Sequence, residues 1–548
     1  MLSAIVGLLL AVRFAYSSPV DYDVVLAGNF GEPRPNHFHC GIDIKTGGVE
    51  GKKLSAISDG YVSRITVGLN GFGNALYITH PDGNVSVYCH LKSFAPRITK
   101  ELRKWQYANG ASIADVRLAP SVCPVARGQF VAVSGNTGAS SAPHLHLELH
   151  DAKNGHIKDP LDVIGWAVND SQPPIAHAFM AYPVKGEGVF DGSPIKRSYG
   201  FSSHELPHRF TAWGKVGFGI WANDYMEATY NRYGVRETAL FVDGEEVFRS
   251  TVDNLPPMFN RQINYLFDYD HYCRYGVWYA RLFILPGVTI PFVSADCSRG
   301  IVEFSEERDY HIEYRLSDYF GNTAVYKFVV TGERTDFGTP KRAASCVAVR
   351  YDRLSRVSMP GCLLVLPRGT LAEDITLAPR RLDCPSSFSP NYLFCDKVMP
   401  LMSWAELSIA VAGTVSRPEK LYIETSDGRY CGGAYHNGWV TASVRELGVA
   451  YHIANDDTPP EITPLSRGRW NADKTIRYKI ADSGSGLKSF KGYVDGCFVL
   501  FERLDKSNVV VCDLECTPVR RTGKRHEIKL EVVDNRNNTA VVKDNILY

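Results

Sequence analysis

Two pairs of segments, far apart in the chain, repeat one pattern. "YGVRETALFVDGEEVF" (Tyr233–Phe248) parallels "SGLKSFKGYVDGCFVL" (Ser485–Leu500); in each, a Gly is followed eight residues later by the Val of a Val-Asp-Gly turn. "LSDYFGNTAVYKF" (Leu316–Phe328) parallels "VVDNRNNTAVVKD" (Val532–Asp544). Asp-Gly between apolar runs is a tight hairpin signal, because Asp and Gly tolerate the positive φ that such turns require. The Pro pairs of "SQPPIA" and "DTPPEIT" precede the two copies and read as linkers. The first copy holds about 36 more residues between its two landmarks. Strands punctuated by hairpin turns, without helical periodicity, predict β-sandwich domains. They are expected at residues 171–335, carrying the insertion, and 457–548. Between them, residues 336–456 form another β-rich segment that includes "SDGRYCGGAYHNGW".

Charge limits the partners. Lys and Arg total 60 and Asp and Glu 59, a formal net charge of +1 over 548 residues. No basic excess is available for phosphate contacts, so nucleic acid is not an expected partner. The length suggests about three or four domains. The 29 tyrosines and 26 phenylalanines, with frequent Asn-Gly and Asp-Gly turns, favour β structure.

The N-terminus, "MLSAIVGLLLAVRFAYSS", has an apolar run from Ala4 to Val12 that ends in small residues. This pattern predicts a secretory signal peptide over residues 1–18, although the usual Lys or Arg ahead of the apolar run is missing; the alternative is a buried first strand. No later segment has 18 uninterrupted apolar residues, so no membrane span is expected after leader removal. Export would permit disulfides among the 13 cysteines, and the odd count leaves at least one unpaired if all bridges are internal. Cys512 and Cys516 are near neighbours, as are Cys384 and Cys395. No CxxC pair occurs, which argues against a structural zinc knuckle.

Residues 19–170 carry the chemistry. In "SAPHLHLELH" the alternation is strict: His144, His146, Glu148 and His150 share one parity, and Leu145, Leu147 and Leu149 the other. In a strand, three imidazoles and a carboxylate would share one face while the leucines enter a core. An ordinary half-buried strand would look the same, so partners elsewhere must decide. "NHFHCGIDIKT" offers His39 and Asp43, with Gly41 between them permitting a tight backbone course. "YCHL" offers His90 at the end of a predicted strand. In "NALYITHPDGNVSVYCHL", strands are expected at Ala75–Thr79 and Val85–His90 around a Pro-Asp-Gly-Asn turn, and a helix near Lys100–Tyr107. A hydrolytic zinc site takes three N/O ligands and keeps one position open. His39, Asp43 and one His of the pair would suffice, leaving the other His and His90 to handle protons and oxyanion charge.

These motifs, HxGxD, YxHL and PHLHLE in this order, resemble the lysostaphin/LytM-type zinc metallopeptidases, the M23 peptidases. "RGQFVAVSGNTGASSAPHLHLELHD" is similar to that family's strand, glycine turn and strand leading through the last motif. The resemblance covers about residues 24 to 165. It implies that His39, Asp43 and His146 are Zn²⁺ ligands and that His144 and His90 are the catalytic histidines, His144 as general base and His90 at the oxyanion, roles that are swapped in some such sites. It implies a small, mostly antiparallel β-domain with the site in a groove, and peptide crosslinks of peptidoglycan as substrate. In a Gram-negative wall that is a D-alanyl–diaminopimelate bond. "GNFGEPRPNHFH" and the long interval after His90 resemble the multi-domain M23 proteins of Bacteroidetes-type bacteria. Cys40 lies inside HxGxD and Cys89 inside YxHL; strand parity is expected to turn both away from the metal, as core thiols or a mutual disulfide. Glu148 is expected either to support a ligand imidazole or to be a solvated strand end, and His37 to lie on the surface.

The expected architecture is therefore mainly β: an N-terminal antiparallel β metallopeptidase domain followed by Ig-like β-sandwich domains. The expected function is an exported peptidoglycan endopeptidase of the periplasm or cell envelope. A carboxypeptidase with the same site and a non-catalytic wall-binding or regulatory protein are the alternatives. Peptidoglycan peptide stems are the expected partner, and the β-domains are candidate surfaces for a regulatory protein.

Overall fold

The computed structural model describes residues 15–337, 346–383, 388–504 and 506–548. Among the described residues the structure is mainly β, with 50% in strands and 10% in helices. The N-terminal domain is built on an antiparallel sheet with strand order Leu26–Gly28, Ile42–Lys45, His144–Asp151, Asn84–Cys89, Asn74–Thr79, Gly60–Val67, Ala114–Arg117. The strand His144–Asp151 is central, so its two neighbours fix its register on both sides. His146 lies opposite Asp43 on one neighbour and opposite Cys89 on the other. Leu145, Leu147 and Leu149 are buried in the core with Ile42, Ile44 and Tyr88, which face them across the strands. The opposite parity is thereby fixed on the other face, because a slip of one residue would expose all three leucines.

A second sheet, of Lys53–Ser55, Phe130–Ser134 and Leu91–Phe94, packs in the same core. The helix runs from Pro96 to Asn109, beyond the expected Lys100–Tyr107 at both ends. Pro96 presets the first helical φ, and Gly110 ends the helix in the left-handed region at φ 54°. The expected leader lies mostly at residues 1–14, outside the described residues. Of its remaining residues, Tyr16 is buried with its hydroxyl donating to Asp82 at 2.5 Å, and the Ser17 N–H donates to the Ile57 carbonyl.

The segment 171–335 departs from a two-sheet sandwich. All its strands except Asn254–Leu255 form one hydrogen-bonded sheet, threaded by the long strand Glu205–Met226. That strand pairs along Ile175–Phe190 on one side; on the other it meets Thr323–Gly332 in parallel before Gly214 and Ala280–Arg281 after it. A left-handed residue, Gly214 at φ 74°, marks the change, and one strand therefore serves both layers. The insertion contains the short helices Ile263–Leu266 and Tyr269–Tyr275, and it leans on the N-terminal domain. Leu255 pairs with Ile157, and Asn260 accepts from the Phe38 N–H at 2.6 Å. The Tyr233 hydroxyl donates to the Leu26 carbonyl and Asn29 to the Gly234 carbonyl. The two units share one continuous hydrophobic core, so residue 170 divides sequence patterns rather than cores.

Residues 346–456 form two five-stranded sheets and a small two-stranded one around their own core. The C-terminal segment forms two four-stranded sheets enclosing Trp470, Tyr478, Phe501 and Leu530. Having its own core, residues 457–548 expressed alone should melt cooperatively with a β-type circular dichroism spectrum; a featureless disordered spectrum would show that the fragment depends on its neighbours. In the full chain this domain touches the first one again: Lys506 donates to the Gly138 carbonyl and Arg103 to Glu502.

The twelve described cysteines are all free thiols, and Cys384 lies outside the described residues. Among the described residues, no helix is long and apolar enough to cross a membrane.

Candidate metal centre and active site

The structure brings His39, Asp43 and His146 to one point. His39 Nε2 lies 3.0 Å from Asp43 Oδ1 and 3.0 Å from His146 Nδ1, and His146 Nδ1 lies 2.9 Å from Asp43 Oδ1. Four-coordinate zinc, with ligands at about 2.0–2.2 Å, sets its donor atoms about 3.3 Å apart. This nearly equilateral triangle therefore fits such an ion with a small outward relaxation. All three residues are buried, as a site for a desolvated ion requires.

The remaining nitrogens make the fit specific. His39 Nδ1 is 2.6 Å from the Asn29 carbonyl, which can only accept, so that nitrogen donates and Nε2 is left bare. His146 Nε2 is 3.0 Å from Glu148 Oε1, which leaves Nδ1 as the inward nitrogen. Glu148 is itself buried and also takes His150 Nε2 at 2.5 Å; it is no solvated strand end. Burial pushes the Glu148 carboxyl up, but His146 and His150 outweigh it and hold it at about 2. On the other side, Arg34 holds Asp43 Oδ2 at 3.3 Å, leaving Oδ1 for the centre, and pairs with Glu32 at 3.1 Å. Burial also raises the Asp43 carboxyl, yet His39, His144 and His146 hold it well below the usual range.

In the metal-free protein, burial lowers the His146 pKa, but Asp43 and Glu148 prevail and raise it to about 9. Below that pH a cation must displace the His146 proton. Metal affinity is therefore expected to rise about tenfold per pH unit between pH 6 and 9, as chelator competition would measure; a flat profile would show that the inward nitrogen is already bare.

His144 and His90 stand beside the triangle. His144 Nδ1 is 2.8 Å from the Ala142 carbonyl, and its Nε2 lies 3.2 Å from Asp43 Oδ1. His90 Nδ1 is 2.8 Å from the Thr137 carbonyl, and the ring centroid is 4.9 Å from that of His144. Burial, with His146 and His144 nearby, lowers the His90 pKa to about 4. Both rings are thus supported at Nδ1 and bare at Nε2 when neutral. Phe72, partly exposed, stacks on His146 with ring centroids 6.0 Å apart.

Local backbone explains how these residues meet. Gly41 is required by close approach: a Cβ there would lie 2.3 Å from the Leu147 carbonyl oxygen. His90 has φ 60°, left-handed and uncommon for a side chain of its size. That kink breaks strand alternation at His90. The expectation for Cys89 is corrected by register: Cys89 lies directly opposite His146, on the same face of the sheet, in a small cluster with Ala75 and Val87. Parity would have sent His90 to the other face; the left-handed turn brings it back. Cys40 is buried, donates to the Phe38 carbonyl and accepts from Asn260. The two thiols are separate. His37 is exposed, as expected.

Sequence reasoning missed Glu32 and Arg34, and the carbonyls of Asn29, Thr137 and Ala142. "GNFGEPRP" contains the first two and Asn29, but nothing in its spacing shows that Arg34 reaches Asp43. The carbonyls carry no side-chain signal at all.

The arrangement could hold a single metal ion, with two imidazoles beside it. The HxGxD, YxHL and HLHLE segments, whose motifs resemble those of M23 peptidases, are gathered around one point. Over 125 residues the chain is 29% identical to an uncharacterized metalloprotease of Haemophilus influenzae, covering 23% of this chain and 21% of that protein; the chain thus spans about a fifth of that curated relative. Similar solved structures include the catalytic domain of EnpA, a prophage-encoded M23 protein of Enterococcus faecalis (23% identity, 26% of this chain and 95% of that one, TM-score 0.20). They also include the catalytic domain of lysostaphin from Staphylococcus simulans (22% identity, 26% and 92%, TM-score 0.20), and a zinc-containing peptidase from Vibrio cholerae (23% identity, 25% and 37%, TM-score 0.19). Residues 347–456, read from sequence only as β-rich, match the model of the Zu5-like domain family.

Proposed function

We propose that the protein is an exported zinc metallopeptidase that hydrolyses peptide crosslinks of peptidoglycan. The observation that carries this reading is the set of four imidazoles and one carboxylate around a single point, two of the imidazoles being free of the ligand triangle. His39, Asp43 and His146 would hold the ion, which would polarise the scissile carbonyl and lower the pKa of water. His144 is suited to accept the proton of the attacking water. Its Nε2 is bare in the neutral ring, and Asp43 Oδ1 at 3.2 Å stabilises the imidazolium that forms. The same ring can then return the proton to the departing amine. His90, neutral and bare at Nε2, starts as a hydrogen-bond acceptor that steadies the water. It becomes a donor to the oxyanion only once a proton reaches it. Export is supported by the apolar N-terminal run from Ala4 to Val12.

The test is incubation of the full-length protein with purified crosslinked peptidoglycan and mass spectrometry of the products. Conversion of crosslinked dimers to monomers is expected. Loss of a single terminal residue from the stems would make it a carboxypeptidase, and binding without any product would leave the non-catalytic reading.

A further inference from the structure

Each repeated β-domain gathers three aspartates at the point where the preceding linker enters it. Asp170, Asp224 and Asp318 bring one carboxylate oxygen each to within 4.8 Å of one another, and Asp456, Asp482 and Asp534 do the same. The two triads correspond member by member. Asp170 precedes Ser171-Gln172-Pro173-Pro174, and Asp456 precedes Asp457-Thr458-Pro459-Pro460, at identical spacing. Asp318 accepts from the Asn322 N–H and side chain at 2.9 and 2.6 Å, and Asn322 also donates to the Asp170 carbonyl at 3.3 Å. Asp534 accepts from the Asn538 N–H and side chain at 2.8 and 2.7 Å, and Asn538 also donates to the Asp456 carbonyl at 2.9 Å. The same asparagine thus ties linker and strand end together in both copies.

Hydrogen bonds within a cluster can be purely structural, so the unsatisfied atoms matter more. Asp224 is 2% exposed, and its buried Oδ1 has no hydrogen-bond partner; Asp170 Oδ2 is also buried and unpartnered. In the second copy the Ser485 hydroxyl, on a residue 3% exposed that also donates its N–H to Asp456, is buried and unpartnered as well. Among the described residues no Lys, Arg or His forms an ion pair with any of the six aspartates; burial, and after it Asp170 and Asp318, raise the Asp224 carboxyl. Like charges buried together without a counter-charge are costly. Two independent copies of the arrangement require a shared reason.

We propose that each triad is a divalent-cation site, built for Ca²⁺, that fastens the linker to the β-domain it enters. The donors are hard oxygens with no nitrogen or sulfur, which selects Ca²⁺ or Mg²⁺ over zinc. Clustered carboxylates in irregular geometry suit Ca²⁺, which takes six to eight oxygens flexibly, better than Mg²⁺, which demands a regular octahedron and retains water. The first site ties Asp170, at the end of the peptidase segment, to strands of the next domain; the cation would thus fasten a junction that the shared core already braces. This is independent of the peptidase reading.

The test is calorimetric titration of chelator-treated full-length protein with CaCl₂, alongside its melting curve. The wild type is expected to bind two Ca²⁺ per chain and to melt several degrees higher with Ca²⁺. Asp224→Asn and Asp482→Asn should each bind one, and the double variant none. These isosteric changes remove a charge from a like-charged cluster, so the Ca²⁺-free variants should melt no lower than Ca²⁺-free wild type, which checks their folding. Absence of heat and of any melting shift at millimolar Ca²⁺ in the wild type would overturn the proposal, as would two bound Ca²⁺ in the double variant. Preferential binding of Mg²⁺ would overturn the assignment to calcium.

Discussion

His144→Ala is expected to retain the metal and lose turnover by roughly 10²-fold or more, the usual contribution of a positioned general base. The ligand triangle is complete without His144. His39, Asp43 and His146 contact one another directly, and the supports of the two imidazoles come from Asn29 and Glu148. His144 touches the triangle only through its 3.2 Å approach to Asp43 Oδ1, and its Nδ1 rests on the Ala142 carbonyl in the loop before the strand. Its removal opens space at a half-buried strand end and leaves the leucine face untouched, so the fold should persist. What is lost is the one bare nitrogen whose acquired charge would face a carboxylate. His90 is a poor substitute, because burial and its imidazole neighbours hold its pKa to about 4. Metal content by elemental mass spectrometry, read beside product formation from crosslinked peptidoglycan, decides the matter. Metal-replete and fully active His144→Ala protein would transfer the base to His90, and metal-poor protein would make His144 a ligand.

The site was legible in the sequence because its parts obey period two. Once His144–Asp151 is a central strand, the leucines force His146 toward the face that Asp43 shares by register, and Gly41 marks a close backbone approach. The same rule failed at His90. With Cys89 in register opposite His146, strict alternation puts Cys89 on the imidazole face and sends His90 away; the left-handed φ at His90 brings it back, and nothing in "YCHL" announces a strained residue. The hairpins of the repeat were legible from their Val-Asp-Gly turns. The merger of two layers into one sheet through Glu205–Met226 was not, because a long strand with Gly214 in its middle reads equally as two strands and a turn. Burial of the insertion against Phe38 is a long-range contact with no local signal. The aspartate triads stayed hidden for the same reason: Asp170, Asp224 and Asp318 lie on three separate segments, and only the folded chain brings them together.

His146→Ala should have the larger consequence, removing most of the metal and with it nearly all activity. The wild type is expected to hold about one zinc per chain. Of the three candidate ligands His146 is held from the central strand, and its outward nitrogen donates to a carboxylate that is 1% exposed and ionised down to about pH 2. Alanine leaves His39 and Asp43 as a two-point site, and it also strands the Glu148 carboxylate in a buried position with only His150 to pair with it. Loss of metal alone could therefore reflect local collapse. Glu148→Gln separates the two causes. Glutamine keeps an acceptor for His146 but removes the charge, so the fold and the ligand set survive while the imidazole becomes a weaker donor to the ion. A loss of about 10- to 100-fold in metal affinity, recoverable by raising metal concentration, is the expected result, since partners of metal-bound histidines carry contributions of that size. Zinc that remains at full occupancy in a His39, Asp43 and His146 triple alanine variant would place the ion elsewhere. A Glu148→Gln protein with unchanged affinity would instead leave the ligands standing and make the buried carboxylate a partner of His150 alone.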